Sequence, residues 1–570
     1  MQAIPLSTPE ALLQTAKRGH LKGRQPDPVV RESVRGLIGP RPAEGYRRDL
    51  LIEYLHLIND ACKGLPEAWL VALATEMSIP MVEVFEVASF YHHFEVLKDS
   101  TEPPAQTIRV CNSLSCKMAG ADELLQSLPD LLGQGVRVLP APCLGRCEQA
   151  PAVQVGQQAV SKATVQSVIQ ASQGALRHAP SAKFAPEVIA YEAYRAGGGY
   201  GLAASIVSGE QSLDAALERM DQAGLRGLGG AGFPAGRKWR IVRDQPAPRL
   251  MAVNIDEGEP GTFKDRFYLE RDPHRFLEGM LISAHVVGCE SIYIYLRDEY
   301  HDCRALLKRE LVALQANPPF PLPHIELRRG AGAYICGEES AMIESIEGKR
   351  GEPRLRPPYI AQTGLFGRPT LEHNFETLYW VRDILTHDDG WFAEHGRHGR
   401  KGFRSFSVSG RVKNPGVKLA PAGITLRELI DEHCDGMADG QTLYAYLPGG
   451  ASGGIFPASL ADVPLDFDTL QPHGGFIGSA AVVVLSQADK ARDAALNVMQ
   501  FFAGESCGQC TPCRVGTVKA AQLMKAAVWD VHTLEDLSQV MTDASICGLG
   551  QAAPNPVRCV IKYFAHEVGL

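Results

Sequence analysis

Three cysteines near the carboxyl end of the chain stand close together. The segment E-S-C-G-Q-C-T-P-C-R separates Cys507, Cys510 and Cys513 by two residues each. Thiolates at this C-x2-C-x2-C spacing can bind three irons of a [4Fe–4S] cluster, whereas structural zinc sites usually join two separate C-x2-C hairpins. Cys547, in I-C-G-L-G, is the candidate fourth thiolate, and Cys559 is its rival. The spacing predicts a [4Fe–4S] cluster whose fourth ligand comes from a separate helical segment.

A second group of four cysteines lies far upstream, in two pairs. Cys111 and Cys116 form C-N-S-L-S-C, and Cys143 and Cys147 form C-L-G-R-C. Two disulfides would require an oxidising compartment, and structural zinc sites prefer pairs separated by two residues. Four thiolates at C-x4-C and C-x3-C spacing suit a [2Fe–2S] cluster. Two groups of four cysteines in one chain indicate electron transfer.

The composition is that of an ordinary globular protein. With 570 residues the chain is too long for one hydrophobic core, so we expect roughly three to five domains. The net charge of -8 argues against nucleic acid as a partner. The sequence shows no apolar run of membrane-spanning length and no basic, apolar leader, so we expect a cytoplasmic protein without a membrane partner. The six other cysteines are expected to be free buried thiols: Cys62, Cys289, Cys303, Cys336, Cys434 and Cys559.

Hydrophobic periodicity divides the chain into regions. Apolar residues recur at helical spacing from Leu50 to Ile58 and between Pro66 and Met77. From Thr107 a strand enters the first upstream cysteine pair, a helix follows, and another strand enters the second pair, an order that fits a thioredoxin-type module. We predict a helical region at 1–104, a thioredoxin-like [2Fe–2S] domain at 105–180, a linker at 181–200, an α/β domain at 201–400, a small β-rich domain at 401–485 and a helical [4Fe–4S] domain at 486–570.

The largest predicted domain carries a glycine-rich segment, G-L-R-G-L-G-G-A-G-F-P-A-G-R-K-W, at 224–239. Its glycines satisfy G-x-G-x-x-G, but apolar residues from Leu213 to Met220 place a helix before the loop. A Rossmann dinucleotide site requires a strand there. Glycines let backbone N–H groups approach a phosphate or a flavin ring, and Arg237 or Lys238 can neutralise the phosphate. The segment therefore predicts a different glycine-rich nucleotide site.

Two further segments combine acidic residues with glycines. They are V-N-I-D-E-G-E-P-G-T-F-K-D-R at 253–266 and G-A-G-A-Y-I-C-G-E-E-S-A at 330–341. Each alone is equally consistent with a solvated loop, because charged residues are mostly exposed. Together they supply acceptors for ribityl and ribose hydroxyl groups: Asn254, Asp256, Glu257, Glu259, Glu338 and Glu339.

These motifs, in this order, resemble the two NADH-oxidising subunits of respiratory complex I joined in one chain. Residues 40–170, with E-V-A-S-F-Y and both upstream cysteine pairs, resemble the smaller [2Fe–2S] subunit. Residues 200–570 resemble the larger flavoprotein subunit. The resemblance implies a multidomain α/β and α+β protein. Its expected parts are an N-terminal helical segment, a thioredoxin-like [2Fe–2S] domain, an FMN- and NADH-binding α/β domain of complex I flavoprotein type, a β-grasp-like domain and a C-terminal helical bundle with [4Fe–4S].

The resemblance also implies roles for individual residues. FMN would be held by Gly227, Gly229, Gly230, Asn254, Asp256, Tyr334, Glu338 and Asn374. NADH would face Phe233, Glu259 and Glu339, and the implied cofactor-binding set also includes Lys238, Glu257, Gly337, Arg356 and Tyr359. The sequence departs from the complex I pattern at Leu228 for arginine, Arg356 for lysine, Tyr359 for phenylalanine and His373 for asparagine. Arg356 keeps the cation and Tyr359 keeps the ring, so the departures concern the geometry of the NAD pocket.

The implied activity is electron transfer between NADH and a partner. NADH releases hydride whereas an iron–sulfur cluster accepts one electron, so FMN must connect the two, and the hydride step needs no protein acid or base. The fused chain resembles diaphorase subunits of NAD-dependent formate dehydrogenases and NAD-reducing hydrogenases, and the segments at 347–359 and 364–380 resemble formate dehydrogenase β subunits most. This implies a large partner subunit with a molybdenum or tungsten pterin cofactor and further iron–sulfur clusters. The alternatives are a hydrogenase diaphorase, a complex I module and a non-catalytic iron–sulfur scaffold.

Overall fold

Helices build the amino-terminal part of the chain in the computed structural model, which describes residues 23–177, 182–185 and 187–570. They span Pro28–Ile38, Leu51–Cys62, Glu67–Met77 and Met81–Phe90. Asp27 caps the first of them by accepting hydrogen bonds from two backbone N–H groups. Leu51, Leu55 and Ile58 lie on one face of the second and are fully buried. A short parallel strand pair joins Leu65–Pro66 to Val96–Leu97.

The chain separates into two compact units. Of the residues that the structure describes, one unit comprises 23–89 and 94–103, and the other comprises 90–93, 104–177, 182–185 and 187–570. The domain boundaries that the sequence predicted within these units stay a prediction. None of the described helices is long and apolar enough to cross a bilayer.

A four-stranded sheet in the larger unit positions the upstream cysteines. Its strands stand in the order Val136–Ala141, Gln106–Cys111, Val153–Val155 and Gln158–Val160. Helices Leu114–Met118, Ala121–Leu132 and Val165–Arg177 accompany it. The first two strands are parallel, and Cys111 pairs with Ala141 at their carboxyl ends. Each strand therefore delivers one cysteine pair to the same edge of the sheet, in the thioredoxin-like arrangement that the sequence predicted.

A parallel four-stranded sheet lies at the centre of residues 187–400. Its strands stand in the order Thr370–Asn374, Arg249–Ile255, Cys289–Leu296 and His324–Arg329. From Arg249–Ile255 the chain adds two strands on one side and then returns to add Thr370–Asn374 on the other. The winding direction switches between these two strands, and open α/β sheets bind ligands beyond the carboxyl ends at such a point. Asn254 and Asn374 are direct partners there.

Helices surround this parallel sheet. They span Tyr191–Ala196, Gly201–Val207, Leu213–Ala223, Ala235–Arg243, Lys264–Leu269, Pro273–Val287, His301–Ala316, Glu339–Ile346, Phe375–Tyr379 and Val381–Thr386. Pro273–Val287 is buried along most of its length, and the ring of its Phe276 stacks on Phe375 with centres 4.4 Å apart. Helices flank the glycine loop on both sides, as the periodicity predicted, so the loop is not a Rossmann turn.

The β-rich region and the carboxyl-terminal helices complete the chain. The mixed five-stranded sheet has the order Gly416–Pro421, Phe403–Gly410, Ala481–Ser486, Leu443–Leu447 and Phe456–Pro457. One helix, Leu426–His433, accompanies it and begins with a capping box formed by Thr425 and Glu428. This is a β-grasp-like arrangement. The last helices span Ala491–Glu505, Thr511–Leu523, Val531–Ala544, Gly548–Ala552 and Asn555–Tyr563.

Candidate functional site

A cavity of about 320 Å³ lies at the switch point of the parallel sheet. Many residues that the sequence predicted to bind a cofactor line it: Gly229, Gly230, Asn254, Asp256, Glu257, Glu259, Tyr334, Gly337, Glu338 and Asn374. Thr262, Lys264 and Asp265 of the first acidic segment also line it, and Ser452, Ser479 and Leu549 from other parts of the chain complete the lining. The cavity therefore joins the glycine loop to both acidic segments.

The glycine loop reaches the cavity because its glycines allow close contacts. A β-carbon at Gly229 would lie 2.9 Å from the β-carbon of Asn374. The Gly227 N–H donates to the Phe233 carbonyl at 2.8 Å, and the Leu228 N–H donates to the Thr377 hydroxyl at 2.9 Å. These bonds fix the two ends of the turn, so the backbone of Gly229 and Gly230 faces the ligand space.

The hydrogen-bonding state of Asp256 shows whether the cavity lining suits a flavin. Its Oδ2 atom is buried and has no hydrogen-bond partner among the described residues. Burial raises the pKa of Asp256 well above its usual range. A buried oxygen without a donor is costly, and the ribityl chain of FMN carries hydroxyl groups that can donate to it. Together with the glycine loop, this acceptor makes the cavity suitable for FMN.

Glu257 is fixed beside Asp256 by three donors. It accepts hydrogen bonds from the backbone N–H groups of Asp265 and Arg266, at 2.8 and 3.2 Å, and from the Tyr300 hydroxyl at 2.8 Å. Burial is the main cause that raises the pKa of Glu257 to about 7. Its carboxylate therefore has a set orientation and titrates near neutral pH.

Glu259 is held on the opposite side of the acidic segment. Its carboxylate accepts from the backbone N–H and the hydroxyl of Ser452, at 2.9 and 2.8 Å, and from the Tyr334 hydroxyl. Burial raises the pKa of Glu259. Three donors on one carboxylate leave it in a defined position at the cavity wall, where the sequence placed a residue facing NADH.

Lys264 is the cationic side chain among the described residues that line the cavity. It is fully buried and pairs with Asp265 at 2.8 Å and Glu376 at 3.1 Å. Burial opposes its charge, but the two carboxylates outweigh that effect and raise the pKa of Lys264. The sequence analysis included Lys264 only as part of the acidic segment 253–266 and assigned it no role. The available signal was a lysine enclosed by acidic residues and glycines.

Six predicted cofactor residues are not part of the cavity lining: Gly227, Phe233, Lys238, Glu339, Arg356 and Tyr359. Arg356 pairs with Glu338 of the cavity and, at 3.0 Å, with Glu339. Phe233 and Tyr359 are 38% and 55% exposed, so both rings are open to solvent. The structure brings Arg356 and Glu339 to the cavity edge, and the contacts of this group with a dinucleotide stay a prediction.

Lys238 and His373 have partners within the protein. The Lys238 amino group donates to the carboxylate of Glu372 at 3.0 Å and to its carbonyl at 2.9 Å, so its charge is already matched. His373 accepts from the indole N–H of Trp239 at 2.9 Å. Burial lowers the pKa of His373 well below its usual range, so this departure from the complex I pattern is a neutral acceptor.

The four upstream cysteines come together beyond the parallel strands. The sulfur atoms of Cys143 and Cys147 lie 3.4 Å apart, and Cys111 contacts both Cys116 and Cys143. All four are buried. Two backbone N–H groups donate to sulfur atoms of this group at 3.4 Å, a kind of contact that tunes iron–sulfur clusters.

The downstream cysteines lie at two helix starts. Cys510 precedes helix Thr511–Leu523, and Cys513, in its first turn, contacts Cys510. Cys547 precedes helix Gly548–Ala552 and is near enough to Cys507 for their charges to interact. Cys559 instead directs its sulfur to the carbonyl of Gly474 at 3.5 Å. The structure therefore places Cys547 rather than Cys559 with the triple-cysteine loop.

The cavity adjoins the Cys547 segment directly and is linked to the upstream cysteines only through Arg297. Cys547 is followed directly by Gly548 and Leu549, which line the cavity. On the other side, the guanidinium of Arg297 donates to the carbonyls of Glu257 and, at 2.6 Å, Cys143. A ligand in the cavity would therefore lie next to the residues that follow Cys547, and the Cys143 loop would be one arginine further away.

The six remaining cysteines are mostly as expected. Five of them are buried: Cys289, Cys303, Cys336, Cys434 and Cys559. Cys62 is only partly buried, so the expectation of a buried thiol is wrong for it. It is the last residue of helix Leu51–Cys62, where the end of the helix leaves the side chain partly open.

Comparison with protein families identifies three matching regions. Residues 220–383 match the Nuo51 FMN-binding domain, residues 493–569 match the NADH-ubiquinone oxidoreductase-F iron-sulfur binding region, and residues 40–174 match the thioredoxin-like [2Fe-2S] ferredoxin. The multidomain fold and the FMN, [2Fe–2S] and [4Fe–4S] domains predicted from the sequence are confirmed.

Relatives and solved structures agree with these matches. The chain is 40% identical over 389 residues to an NADH-quinone oxidoreductase subunit of Rhizobium meliloti (strain 1021), which covers 66% of this chain and 92% of the relative. It is 39% identical to an NADH-quinone oxidoreductase subunit of Aquifex aeolicus (strain VF5), over 67% of this chain and 91% of that one. A chain of the NAD+-reducing [NiFe]-hydrogenase in the H2-reduced state superposes with a TM-score of 0.80 and 31% identity, covering 92% of this chain and 93% of that chain. The chain therefore belongs to the family of NADH-oxidising flavin and iron–sulfur subunits, with the [2Fe–2S] and flavoprotein parts joined in one polypeptide.

Proposed function

We propose that this chain is the diaphorase (β) subunit of an NAD-dependent formate dehydrogenase. Its partner would be a large subunit with a molybdenum or tungsten pterin cofactor and further iron–sulfur clusters. The observation that carries the electron-transfer role is the cavity at the switch point, which adjoins Cys547 on one side and, through Arg297, Cys143 on the other. The segments at 347–359 and 364–380 support the formate assignment. The cytoplasmic location and the lack of nucleic-acid and membrane partners stay predictions.

The side chains around the cavity bind and orient the reactants. When bound, FMN takes hydride from NADH and passes electrons singly to iron–sulfur clusters. Asp256 offers an acceptor to the ribityl hydroxyls, and Glu259, fixed by Ser452 and Tyr334, lines the NADH side. Glu339, which pairs with Arg356 at 3.0 Å, would accept a hydrogen bond from a ribose hydroxyl. No acid or base has to act in the hydride step.

A hydrogenase diaphorase is the second candidate. It is favoured by the structural similarity to the [NiFe]-hydrogenase chain, which covers 92% of this chain and therefore both of its parts. The similarity to the NADH-quinone oxidoreductase of Rhizobium meliloti covers 66% of the chain and favours a complex I module less. A non-catalytic scaffold is disfavoured, because such a protein has no use for a buried acceptor in an open cavity.

The partner decides between these candidates. The chain would be purified in its complex, the metals measured, and NAD+ reduction assayed with formate and with hydrogen. We expect molybdenum or tungsten and formate-dependent NAD+ reduction. Nickel with hydrogen-dependent reduction would replace the formate assignment by the hydrogenase, and quinone reduction by a membrane complex would replace it by complex I.

A further inference from the structure

A second cavity, of about 260 Å³, adjoins the glycine loop on the side of the β-grasp-like domain. Gly224, Leu225, Arg226 and Leu228 line it, whereas the next residues of the loop, Gly229 and Gly230, line the flavin cavity. Its charged lining residues are Arg226, Arg400, Lys401, Arg404 and Asp466. The lining thus holds four cations and one carboxylate, a second carboxylate, Asp468, pairs with Arg226 at 2.7 Å, and the glycine loop forms a wall of both cavities.

Arg404 is the most enclosed of these cations. It is 3% exposed, and its Nη2 atom donates to Asp466 at 2.8 Å. Its Nε atom is buried and has no hydrogen-bond partner among the described residues. Asp466 also accepts a hydrogen bond from the Nε atom of Arg400 at 2.7 Å, so its carboxylate is shared between two arginines. Buried donors in proteins are almost always hydrogen-bonded, so the Nε atom of Arg404 is expected to meet an acceptor from a bound ligand.

Arg226 adds a second positive charge at close range. The guanidinium carbons of Arg226 and Arg404 lie 4.4 and 4.1 Å from the ring centre of Phe467. Burial lowers the pKa of Arg404, and the charge of Arg226 lowers it further, although Asp466 and Glu376 oppose both effects. Arg226 is paired with Asp468 at 2.7 Å, and Arg404 shares Asp466 with Arg400, so the buried Nε atom of Arg404 is the donor that an anion in the cavity would satisfy.

We propose that this cavity binds a small dianionic oxyanion: inorganic phosphate or the phosphate group of a small metabolite. The unpartnered Nε–H of Arg404 can donate to a phosphate oxygen in a charge-assisted hydrogen bond, and the exposed Lys401 adds a cation to the lining. The volume of about 260 Å³ lies just below the range of pockets that enclose drug-sized ligands, roughly 300 Å³ and above, so a compact anion is the better fit.

The bound anion would also brace the flavin loop. The Nε atom of Arg226 donates to the Gly232 carbonyl at 2.5 Å. The Phe467 ring packs on the same glycine, since a β-carbon there would lie 2.5 Å from the ring. An anion that fixes Arg226 and Phe467 therefore restrains the loop that contacts FMN, and we expect it to slow FMN release.

Calorimetric titration of the FMN-loaded full chain tests the proposal. Inorganic phosphate and glycerol phosphate would be titrated separately at constant ionic strength, with excess FMN to keep the flavin site filled. We expect saturable binding of at least one of them, weakened at least about tenfold by Arg404→Met because a charge-assisted hydrogen bond is lost. The matched control is Arg411→Met in the same domain, where Arg411 pairs with Asp489 at 2.7 Å, and it should bind like the original chain. Equal affinity of the Arg404→Met variant, or no saturable binding, would overturn the proposal.

An exposed residue keeps the test decisive if the buried variant does not fold. Lys401 lines the cavity and is exposed, so Lys401→Ala leaves the core intact and should weaken phosphate binding by about threefold. Phosphate should also slow FMN release, and this effect should be smaller in Lys401→Ala than in the original chain. Identical phosphate binding and identical FMN release in the two chains would contradict the inference. Neither readout uses NADH or formate, so a negative result here is distinct from failure of the proposed function.

Discussion

Cys547 and Cys559 are both buried thiols near the carboxyl end, but their surroundings differ. Cys547 precedes a helix beside the triple-cysteine loop, whereas Cys559 faces the Gly474 carbonyl. We expect Cys547→Ser, like Cys510→Ser, to lose the [4Fe–4S] signal in electron paramagnetic resonance, with iron falling from about six to about two per chain. Cys559→Ser should retain both clusters. Loss of the cubane in Cys559→Ser and its persistence in Cys547→Ser would reverse the ligand assignment.

Glu339 carries a prediction about the dinucleotide. A carboxylate there accepts from the 2′-hydroxyl of NADH and repels the 2′-phosphate of NADPH, so the chain should prefer NADH. We expect Glu339→Gln to lower the ratio of kcat/KM for NADH over NADPH by about tenfold in dye reduction, as one charge repulsion is removed. Glu344→Gln on the same helix is the matched control, since Glu344 pairs with Lys349 at 3.1 Å. An unchanged ratio in Glu339→Gln would place this carboxylate away from the adenosine ribose.

Glu257 makes stability depend on pH. Burial raises its pKa from 4.5 to about 7, so between these values the unfolded chain releases the proton while the folded chain keeps it. The free energy of unfolding therefore falls as pH rises through this window and levels off above about 7, by at most about 3 kcal/mol. Glu257→Gln should make this fall shallower, and Asp256 and Glu259, whose pKa values burial also raises, should contribute the remainder. Denaturant unfolding of the FMN-free chain from about pH 5 to 8 measures it, and parallel pH profiles of the two chains would show that Glu257 is already ionised when folded.

Local elements were predictable where spacing alone defines them. The helix from Leu213 before the glycine loop, the strands that lead into the upstream cysteine pairs and the helical carboxyl end follow from periodicity. The placement of Asn254 opposite Asn374 does not, because strand order is a non-local property that no single segment encodes. For the same reason the sequence did not predict that Ser452, Ser479 and Leu549 line the cavity. All three are small or apolar, Leu549 stood only as a neighbour of the candidate ligand Cys547, and all three reach the flavin cavity through packing.

The loop between the second upstream strand and Val153–Val155 is held by arginines. Arg266 donates to the Gly145 carbonyl at 2.9 Å, and Arg297 donates to that of Cys143 at 2.6 Å. The neighbouring Cys111 and burial raise the pKa of the Cys143 thiol, and the charge of the buried Arg297 opposes this rise. The loop that carries two expected cluster ligands is therefore bound to the flavin domain by hydrogen bonds and by charge.

Removal of Arg297 should change the [2Fe–2S] cluster more than the fold. Reduction adds a negative charge, which a buried cation nearby stabilises, so Arg297→Met should shift the midpoint potential of this cluster to a more negative value. The control is Arg328→Met, an equally buried arginine that pairs with Glu326 at 2.6 Å. Potentiometric titration followed by electron paramagnetic resonance measures the shift. A shift of the same size in Arg328→Met would indicate general loosening of the fold.

The larger unit combines functions that depend on one another's structure. The flavin cavity takes its floor from the parallel sheet, part of its wall from the β-grasp-like domain and its edge from the helix after Cys547. No single region encloses the cavity alone. The fused [2Fe–2S] part contributes Cys143, whose carbonyl is bound by the same arginine that binds the Glu257 carbonyl. Because these regions are joined by common hydrogen bonds and a common cavity, the larger unit is one electron-transfer unit rather than a set of independent modules.

The division of labour between this chain and its partner gives the last prediction. FMN and two clusters suffice to take electrons from NADH, whereas formate oxidation is assigned to a pterin metal on the partner. We expect the isolated chain to reduce an artificial dye with NADH and to release a flavin on acid precipitation, which a bare scaffold would not contain. Its visible spectrum should remain oxidised under formate until the partner is added back, and bleaching of the isolated chain by formate would mean that the formate site lies on this polypeptide.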